Sequence, residues 1–269
     1  MSRRDIEGRA LRVLGRFNYP LDRLPPRLQP LPMLNIREIS LRRPDALVGV
    51  ERIVPGAGSY VDGFSAFWEE EIVPAAIYAH RNFHGEYAGA GPVDFIEAFT
   101  LYALIREHQP QRVLESGFAC GISSLVIARG LLDNGAGELD TVDIKDNGDI
   151  VSEFYRLAGK GVIHPTFGDA RAFARETAHD YQLTFSDALH KYAFNRELAA
   201  ILRERFPAAI HCYHEWSLAP GVPTADTRYV SMRANLGRCG ERRAFEEAFP
   251  HSRHIGVPSS SGLGVVLPR

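Results

Sequence analysis

The sequence of 269 residues is short of cysteine, has no excess of either charge and contains no long hydrophobic run. Its three cysteines, Cys120, Cys212 and Cys239, are odd in number and widely spaced, so we expect reduced thiols and a cytoplasmic location. The formal net charge of −2 leaves no excess of basic residues for contacts with nucleic-acid phosphates, so we expect no nucleic-acid partner. Because no stretch reaches about 18 apolar residues, we expect no transmembrane helix and no membrane partner.

The first 60 residues lack long periodic segments and any secretory signal. Asp5, Glu7 and Arg9 interrupt the apolar run that an export signal requires. Prolines are concentrated between positions 20 and 32, where they prevent a continuous helix. We therefore predict an arm that wraps a surface or a partner subunit, which would make the protein a homo-oligomer.

Two aromatic-rich helices are predicted between this arm and the first strand. Apolar residues recur at helical spacing from about residue 63 to 80, and again from residue 93 to 108. Helices with an aromatic face of this kind usually contribute to the core. The second helix leads directly into the first predicted strand.

The run from residue 112 to 125 reads as a buried strand, a glycine-bearing turn and the start of a helix. Gly117 and Gly121 allow the backbone to turn sharply and a ligand to approach without a Cβ in the way. Ser123 is predicted to cap the helix that follows. A nucleotide-like cofactor binds at such a junction, although an ordinary strand-to-helix turn has the same pattern.

Glu115, at the end of this strand, limits the choice of cofactor. An acidic side chain repels a pyrophosphate, and the glycine spacing lacks one glycine of the dinucleotide fingerprint, so NAD is disfavoured. The arrangement Glu115-x-Gly117-Phe118-x-x-Gly121 resembles motif I of the class I S-adenosylmethionine-dependent methyltransferases. The resemblance implies S-adenosylmethionine as the cofactor, whose amino acid end is cationic.

Two further strands end in carboxylates that match this resemblance. Asp143, followed by Ile144, ends the strand predicted at residues 138–144 and can accept both hydroxyls of an adenosine ribose. Asp169 and Ala170 end a third strand and resemble the segment that borders the adenine ring, where Asp169 would accept the adenine amino group. Each aspartate has a simpler alternative as a helix cap or turn residue.

The block Asp187-x-x-His190-x-Tyr192, after the strand at 183–186, resembles the methyltransferase family often called type 24, a relative of catechol and macrolide sugar O-methyltransferases. The resemblance implies that Asp187 faces the site of methyl transfer and borders the cofactor. It also implies that His190 assists deprotonation of the acceptor, for which an ordinary pKa of about 6.5 is well suited. The alternative is a histidine packed under the following helix.

The fifth strand, predicted at residues 208–213, is followed by His214 and Glu215, where many relatives have acidic or amide residues. In metal-dependent relatives this region helps to bind a divalent ion, so Asp187, His214 and Glu215 are the candidate ligands. This mixed nitrogen and oxygen set suits manganese, iron or zinc better than magnesium. In the metal-free alternative, which we favour, His214 is a general base.

The C-terminal pattern of a helix and two strands, up to residue 267, is typical of class I methyltransferases. We predict an α/β fold: a Rossmann-like, doubly wound, mostly parallel seven-stranded sheet with a C-terminal antiparallel hairpin and an N-terminal helical extension. Residues 93–269 would form the cofactor-binding methyltransferase domain. Residues 1–92 would form the arm and a helical lid over the cofactor and the acceptor.

The predicted function is methyl transfer from S-adenosylmethionine to a small molecule, with oxygen as the receiving atom and a place in natural-product or secondary metabolism. The catalytic candidates are Asp187, His190 and His214. A catalytically inactive cofactor-binding scaffold is one alternative. A metal-dependent oxygenase on the same fold, similar to cephalosporin hydroxylase-like relatives, is another.

Overall fold

The computed structural model describes residues 44–73, 75, 93–145, 161–216, 240–257, 259 and 262–268. Three predicted features lie outside these ranges: the part of the arm before residue 44, the end of the helix predicted at 63–80, and Cys239. Within them, no helix combines the length and the apolar character needed to span a bilayer.

Seven strands in the described residues form one sheet in the order β3-β2-β1-β4-β5-β7-β6. The first five strands run parallel, β7 is antiparallel to β5, and β6 is antiparallel to β7. The predicted sheet and its C-terminal hairpin are therefore confirmed. The strands are β1 Arg112–Ser116, β2 Glu138–Asp143, β3 Ile163–Phe167, β4 Leu183–Ser186, β5 Ile210–Tyr213, β6 Arg253–Val257 and β7 Leu263–Leu267.

Successive residues of β1 face opposite sides of the sheet, as the strand period requires. Val113 contributes to a core shared with the helices before β1 and between β1 and β2, and Leu114 contributes to a second core beneath the later helices. Both faces are thus covered, as in doubly wound sheets. The helices are α1 Pro44–Glu51, α2 Val61–Phe67, α3 Phe95–His108, α4 Ile122–Asn134, α5 Ala170–Glu176, α6 Tyr192–Arg205 and α7 Glu241–Ala248.

The region before α3 packs on the domain through aromatic side chains. α2 continues as a π-helical turn over Trp68–Ile72, and Phe64 lies 5.4 Å from the rings of both Phe95 and Phe99. The core assignment of the aromatic residues is therefore confirmed for these side chains. The sequence pattern does not reveal α1 or the 3₁₀ turn at Ala57–Tyr60, which are too short to show a clear helical period.

Most sequence-based boundaries agree with the structure to within a few residues. The second strand ends at Asp143, so Ile144 lies just beyond it, and the third strand ends at Phe167, so Asp169 and Ala170 are not part of it. All these residues lie at the carboxyl edge of the parallel strands, where ligands of doubly wound sheets bind.

Candidate active site

The glycine loop after β1 requires both of its glycines. Gly117 has a φ of +84°, and a Cβ there would overlap the carbonyl oxygen of Asp187 and lie 2.5 Å from the Cα of Ala188. Gly121, with a φ of +80°, is the residue before the first turn of α4. The prediction that Ser123 caps this helix is wrong, because Gly121 is the N-cap and Ser123 lies inside the first turn.

Glu115 lies completely buried beneath the loop. Its carboxylate accepts a hydrogen bond from the Thr141 hydroxyl at 2.6 Å and another from Ser124. Burial raises the pKa of Glu115 to about 7, although hydrogen bonds from Ser123, Ser124 and Thr141 act in the opposite direction. Glu115 therefore supports the junction of β1, β2 and α4, and its predicted contact with the cofactor stays a prediction.

Asp143 fastens the glycine loop to the end of β2. Its Oδ2 accepts hydrogen bonds from the backbone N–H groups of Phe118 at 3.2 Å and Ala119 at 3.0 Å. Its Oδ1 accepts one from the N–H of Lys145 at 3.2 Å. The carboxylate has lone pairs left for further donors, and its contact with the ribose stays a prediction.

Apolar side chains are exposed next to this carboxylate. Ile144 is 72% exposed and Phe167 is 47% exposed, both at the carboxyl edge of the sheet. The Phe167 ring contacts the edge of Phe118, which is buried, with 6.0 Å between ring centroids. Phe167 is not among the predicted site residues, because a single aromatic residue at a strand end has no distinctive spacing.

Asp169 is the N-cap of α5, and Ala170 is the buried first residue of that helix. The Asp169 carboxylate accepts hydrogen bonds from the backbone of Arg171 at 2.8 Å and from its guanidinium at 2.6 Å. The hydrogen bonds from Arg171 hold the pKa of Asp169 below its usual value. The simpler assignment as a helix cap is confirmed, and the adenine contact stays a prediction.

We call the glycine loop with Asp143, Ile144 and Phe167 the cofactor edge. The other half of the carboxyl edge, after β4 and β5, we call the acid–histidine edge. It is formed by Asp187, His190, His214 and Glu215 together with two glutamates from helices, Glu97 and Glu241.

His214 is buried between two carboxylates. Its Nε2 forms a hydrogen bond with Glu97 Oε2 at 3.1 Å. Its Nδ1 lies 2.9 Å from Asp187 Oδ1, and this second contact is an ion pair without hydrogen-bond alignment. Burial lowers the pKa of His214, but the charges of Asp187 and Glu97 outweigh burial and raise it well above 6.5. The two carboxylates therefore favour the imidazolium form of His214, and its role as a general base stays a prediction.

Glu97, on α3, is a site residue that the sequence analysis missed. It is fully buried and forms a capping box with Asp94, in which each side chain accepts a hydrogen bond from the backbone of the other at 3.0 Å. The Ser259 hydroxyl donates to Glu97 Oε1 at 2.6 Å. Burial raises the pKa of Glu97, but His214 and these hydrogen bonds lower it below its usual value overall. The capping box was readable in the sequence; the contact with His214 was not.

His190 lies beside the other pair of carboxylates. Its Nδ1 is 2.7 Å from Glu241 Oε1 and 3.3 Å from Glu215 Oε2, and its side chain is 32% exposed. Burial lowers the pKa of His190, but Glu241, Glu215 and Asp187 raise it to about 9. The expected ordinary pKa is therefore wrong, and the reason is the acidic surroundings that tertiary packing brings to it.

The three predicted metal ligands do not form one cluster. Within the described ranges, the group of metal-ligating side chains whose donor atoms lie within 4.8 Å of one another is His190, Glu215 and Glu241. His214 and Asp187 are not in this group and instead contact each other. Glu215 has a φ of +62°, a conformation that costs free energy for any residue but glycine.

Residues 114–211 match the family model described as a methyltransferase domain, of type 24. This match confirms the resemblance predicted from the motifs. The matched range includes Glu115 and ends within β5. No curated protein gives a significant match in sequence.

Solved structures share the fold at low sequence identity. The Podospora anserina methyltransferase PaMTH1, bound to S-adenosylhomocysteine, is 17% identical, with 78% of this chain and 96% of that chain covered and a TM-score of 0.58. The Streptomyces achromogenes O-methyltransferase TomG, bound to S-adenosylmethionine, is 19% identical, with coverage of 77% and 96% and a TM-score of 0.55. The Bacillus cereus O-methyltransferase, bound to S-adenosylhomocysteine, is 16% identical, with coverage of 79% and 100% and a TM-score of 0.56.

Proposed function

We propose that the protein transfers a methyl group from S-adenosylmethionine to an oxygen atom of a small molecule, and the match of residues 114–211 to the type 24 methyltransferase domain model supports this proposal. The observation that carries the proposal is the cofactor edge. It combines a loop with two glycines at positive φ, a carboxylate held against that loop, and exposed apolar side chains.

Each part of the cofactor edge suits one part of the cofactor. Asp143 would accept the ribose hydroxyls, and Ile144 and Phe167 would cover the adenine ring with apolar surface. Gly121 would let the amino acid end approach the backbone, whereas Gly117 makes room for the backbone of Asp187 and Ala188. An ammonium group there is favoured by the acidic side chains of Glu115 and Asp187, which would repel a pyrophosphate.

Methyl transfer requires the acceptor oxygen to attack the sulfonium methyl in line with the leaving sulfur. Holding the two atoms about 3 to 3.5 Å apart supplies several kcal/mol of barrier reduction without any acid or base. Asp187 would contribute to this alignment, because its backbone N–H donates to Ser116 next to Gly117 and its carboxylate faces His214. We therefore assign Asp187 to the boundary between cofactor and acceptor.

The proton of the acceptor hydroxyl needs a receiving group. Nearby carboxylates raise the pKa of His190 to about 9 and that of His214 well above its ordinary value, which favours the protonated form of both imidazoles over the neutral form that a general base needs. We assign proton acceptance to the Asp187 carboxylate. His214 would hold that carboxylate in place, and His190 would contact the acceptor from the exposed side.

The acceptor that we propose is a natural product of secondary metabolism. TomG, which has the same fold, takes part in tomaymycin synthesis.

The free thiols Cys120 and Cys212 fit the predicted cytoplasmic location of such an enzyme. The lid role of the helices before β1 rests on the family resemblance alone, because their aromatic contacts, such as those of Phe64 with Phe95 and Phe99, belong to the core.

Calorimetric titration with S-adenosylhomocysteine tests the cofactor assignment, with NAD as the comparison ligand. We expect micromolar binding of the first and none of the second. Asp143→Asn should weaken binding by about tenfold, because one charged acceptor of the ribose hydroxyls is lost. Asp180→Asn, an exposed aspartate at the opposite end of β4, is the matched control and should bind as wild type does. Folded protein that binds NAD instead would overturn the proposal.

A further inference from the structure

Two glutamates and one histidine converge after β4 and β5, although they come from three separate segments. His190 follows β4, Glu215 follows β5, and Glu241 is the first residue of α7. One donor atom from each lies within 4.8 Å of the other two. Ligand distances of about 2.0 to 2.2 Å place neighbouring donors roughly 3 Å apart around a metal ion, so small side-chain adjustments suffice.

The two carboxylates are almost completely removed from water. The side chain of Glu215 is 6% exposed and that of Glu241 is 3% exposed. Burying ionised carboxylates costs several kcal/mol each unless opposite charge compensates for it. A cation beside these two carboxylates would therefore be favoured.

Glu241 provides a second, independent observation. Its Oε1 pairs with His190, while its Oε2 is buried with no hydrogen-bond partner among the described residues. A buried carboxylate oxygen without a partner is costly, and such groups are otherwise nearly always satisfied. A cation bound beside this carboxylate would satisfy the oxygen.

The neighbouring His214 is unsuited to the same task. Both of its ring nitrogens already face carboxylates, Glu97 at 3.1 Å and Asp187 at 2.9 Å. An imidazole binds a metal through the lone pair of one ring nitrogen. Only its other nitrogen can then donate a hydrogen bond to a carboxylate. His214 pairs with carboxylates through both nitrogens, whereas His190 faces the glutamates through Nδ1 alone, so a metal ion can displace the Nδ1 proton, which leaves to solvent on the exposed side of the ring.

We propose that His190, Glu215 and Glu241 bind one divalent transition-metal ion. A nitrogen donor with two carboxylates suits Mn²⁺, Fe²⁺ or Zn²⁺ better than Mg²⁺, which prefers oxygen ligands and several waters. The exposed side of His190 leaves room for a further ligand from solvent. Use of the ion to hold the acceptor oxygen rests on the proposed function, whereas binding of the ion does not.

Metal titration of tag-free, chelator-treated, full-length protein tests this site. We expect calorimetry to show one Mn²⁺ or Zn²⁺ bound per chain, and Glu241→Gln and Glu215→Gln to weaken that binding by about 100-fold or more. Glu246→Gln is the matched control, because Glu246 lies on the same helix but pairs with Arg242 at the surface. It should bind metal as the wild-type protein does.

Circular dichroism establishes that each variant is folded, and His190→Gln provides a third variant if one glutamine variant fails to fold. Unchanged metal affinity in the folded ligand variants overturns the site, as does the absence of Mn²⁺ and Zn²⁺ binding by wild type. Tighter binding of Mg²⁺ than of Mn²⁺ overturns the assignment to transition metals.

Titration of the same wild-type sample with S-adenosylhomocysteine separates the two proposals. Metal binding without cofactor binding rejects the proposed methyl transfer and leaves the metal site standing. Cofactor binding without metal binding rejects the metal site alone.

Discussion

The cofactor edge and the acid–histidine edge lie on the same side of one sheet but are built in different ways. At the cofactor edge, Asp143 binds the backbone of Phe118 and Ala119, which are 25 and 24 residues away in the chain. At the acid–histidine edge, His190 reaches Glu241 over 51 residues and His214 reaches Glu97 over 117 residues.

This difference determines what each edge is suited to do. The cofactor edge uses backbone geometry, since Gly117 and Gly121 adopt positive φ angles that side chains disfavour. The acid–histidine edge uses charge, because its carboxylates favour the cationic form of two imidazoles. The first arrangement is suited to binding a ligand by shape, and the second to interactions with charges and protons.

The largest expected effect comes from Gly117→Ala, which changes the backbone geometry of the cofactor edge. The new Cβ would overlap the backbone of Asp187 at a φ of +84°, so we expect destabilisation on the order of 3 kcal/mol. Binding of S-adenosylhomocysteine should also be lost. Urea unfolding and calorimetry measure the two effects.

Gly63→Ala is the control for this substitution. Gly63 lies in α2, and no atom lies within 4 Å of the position that its new Cβ would occupy, so stability should stay the same or rise slightly. Equal effects of the two substitutions would show that the glycine loop has no special geometric requirement.

Glu97→Gln tests the charge of the acid–histidine edge. It leaves the His214 imidazolium buried with only one carboxylate, and we expect a loss of about 3 kcal/mol in the free energy of unfolding. The glutamine can keep the capping contact with Asp94, so the effect reports mainly the lost charge. A stability within roughly 0.5 kcal/mol of wild type, the scale of surface substitutions, would contradict the pairing.

His211 gives the smallest expected effect and shows what a buried histidine does without a carboxylate. It lies on β5, where its Nδ1 pairs with the Thr184 hydroxyl at 2.9 Å and its ring packs on Phe249. Burial lowers the pKa of His211 to about 4. The unfolded chain therefore binds more protons than the folded protein below about pH 6.5, and stability falls as the pH decreases.

We expect wild type to lose about 2 kcal/mol more stability between pH 7 and pH 5 than His211→Gln does. Urea unfolding at the two pH values measures this difference. Parallel pH profiles for the two proteins would mean that His211 titrates normally in the folded state.

Much of the fold is predictable because its pattern is local. The predicted strand from residue 183 to 186 matches β4 to the residue, and the motif around Gly117 and Gly121 identifies the loop. Neighbouring residues in the chain set strand alternation and turn geometry, so these features can be read without knowing the rest of the protein. The cap of α4 is assigned wrongly from sequence because glycine and serine both favour that position.

Local sequence patterns were enough to place the strands along the chain, to identify the glycine loop and to name most residues at the carboxyl edge. The charge states of His190 and His214, and their partners Glu241 and Glu97, emerged only once the chain was folded. A pKa depends on burial and on charges within a few ångströms, and folding brings those charges together from distant parts of the chain.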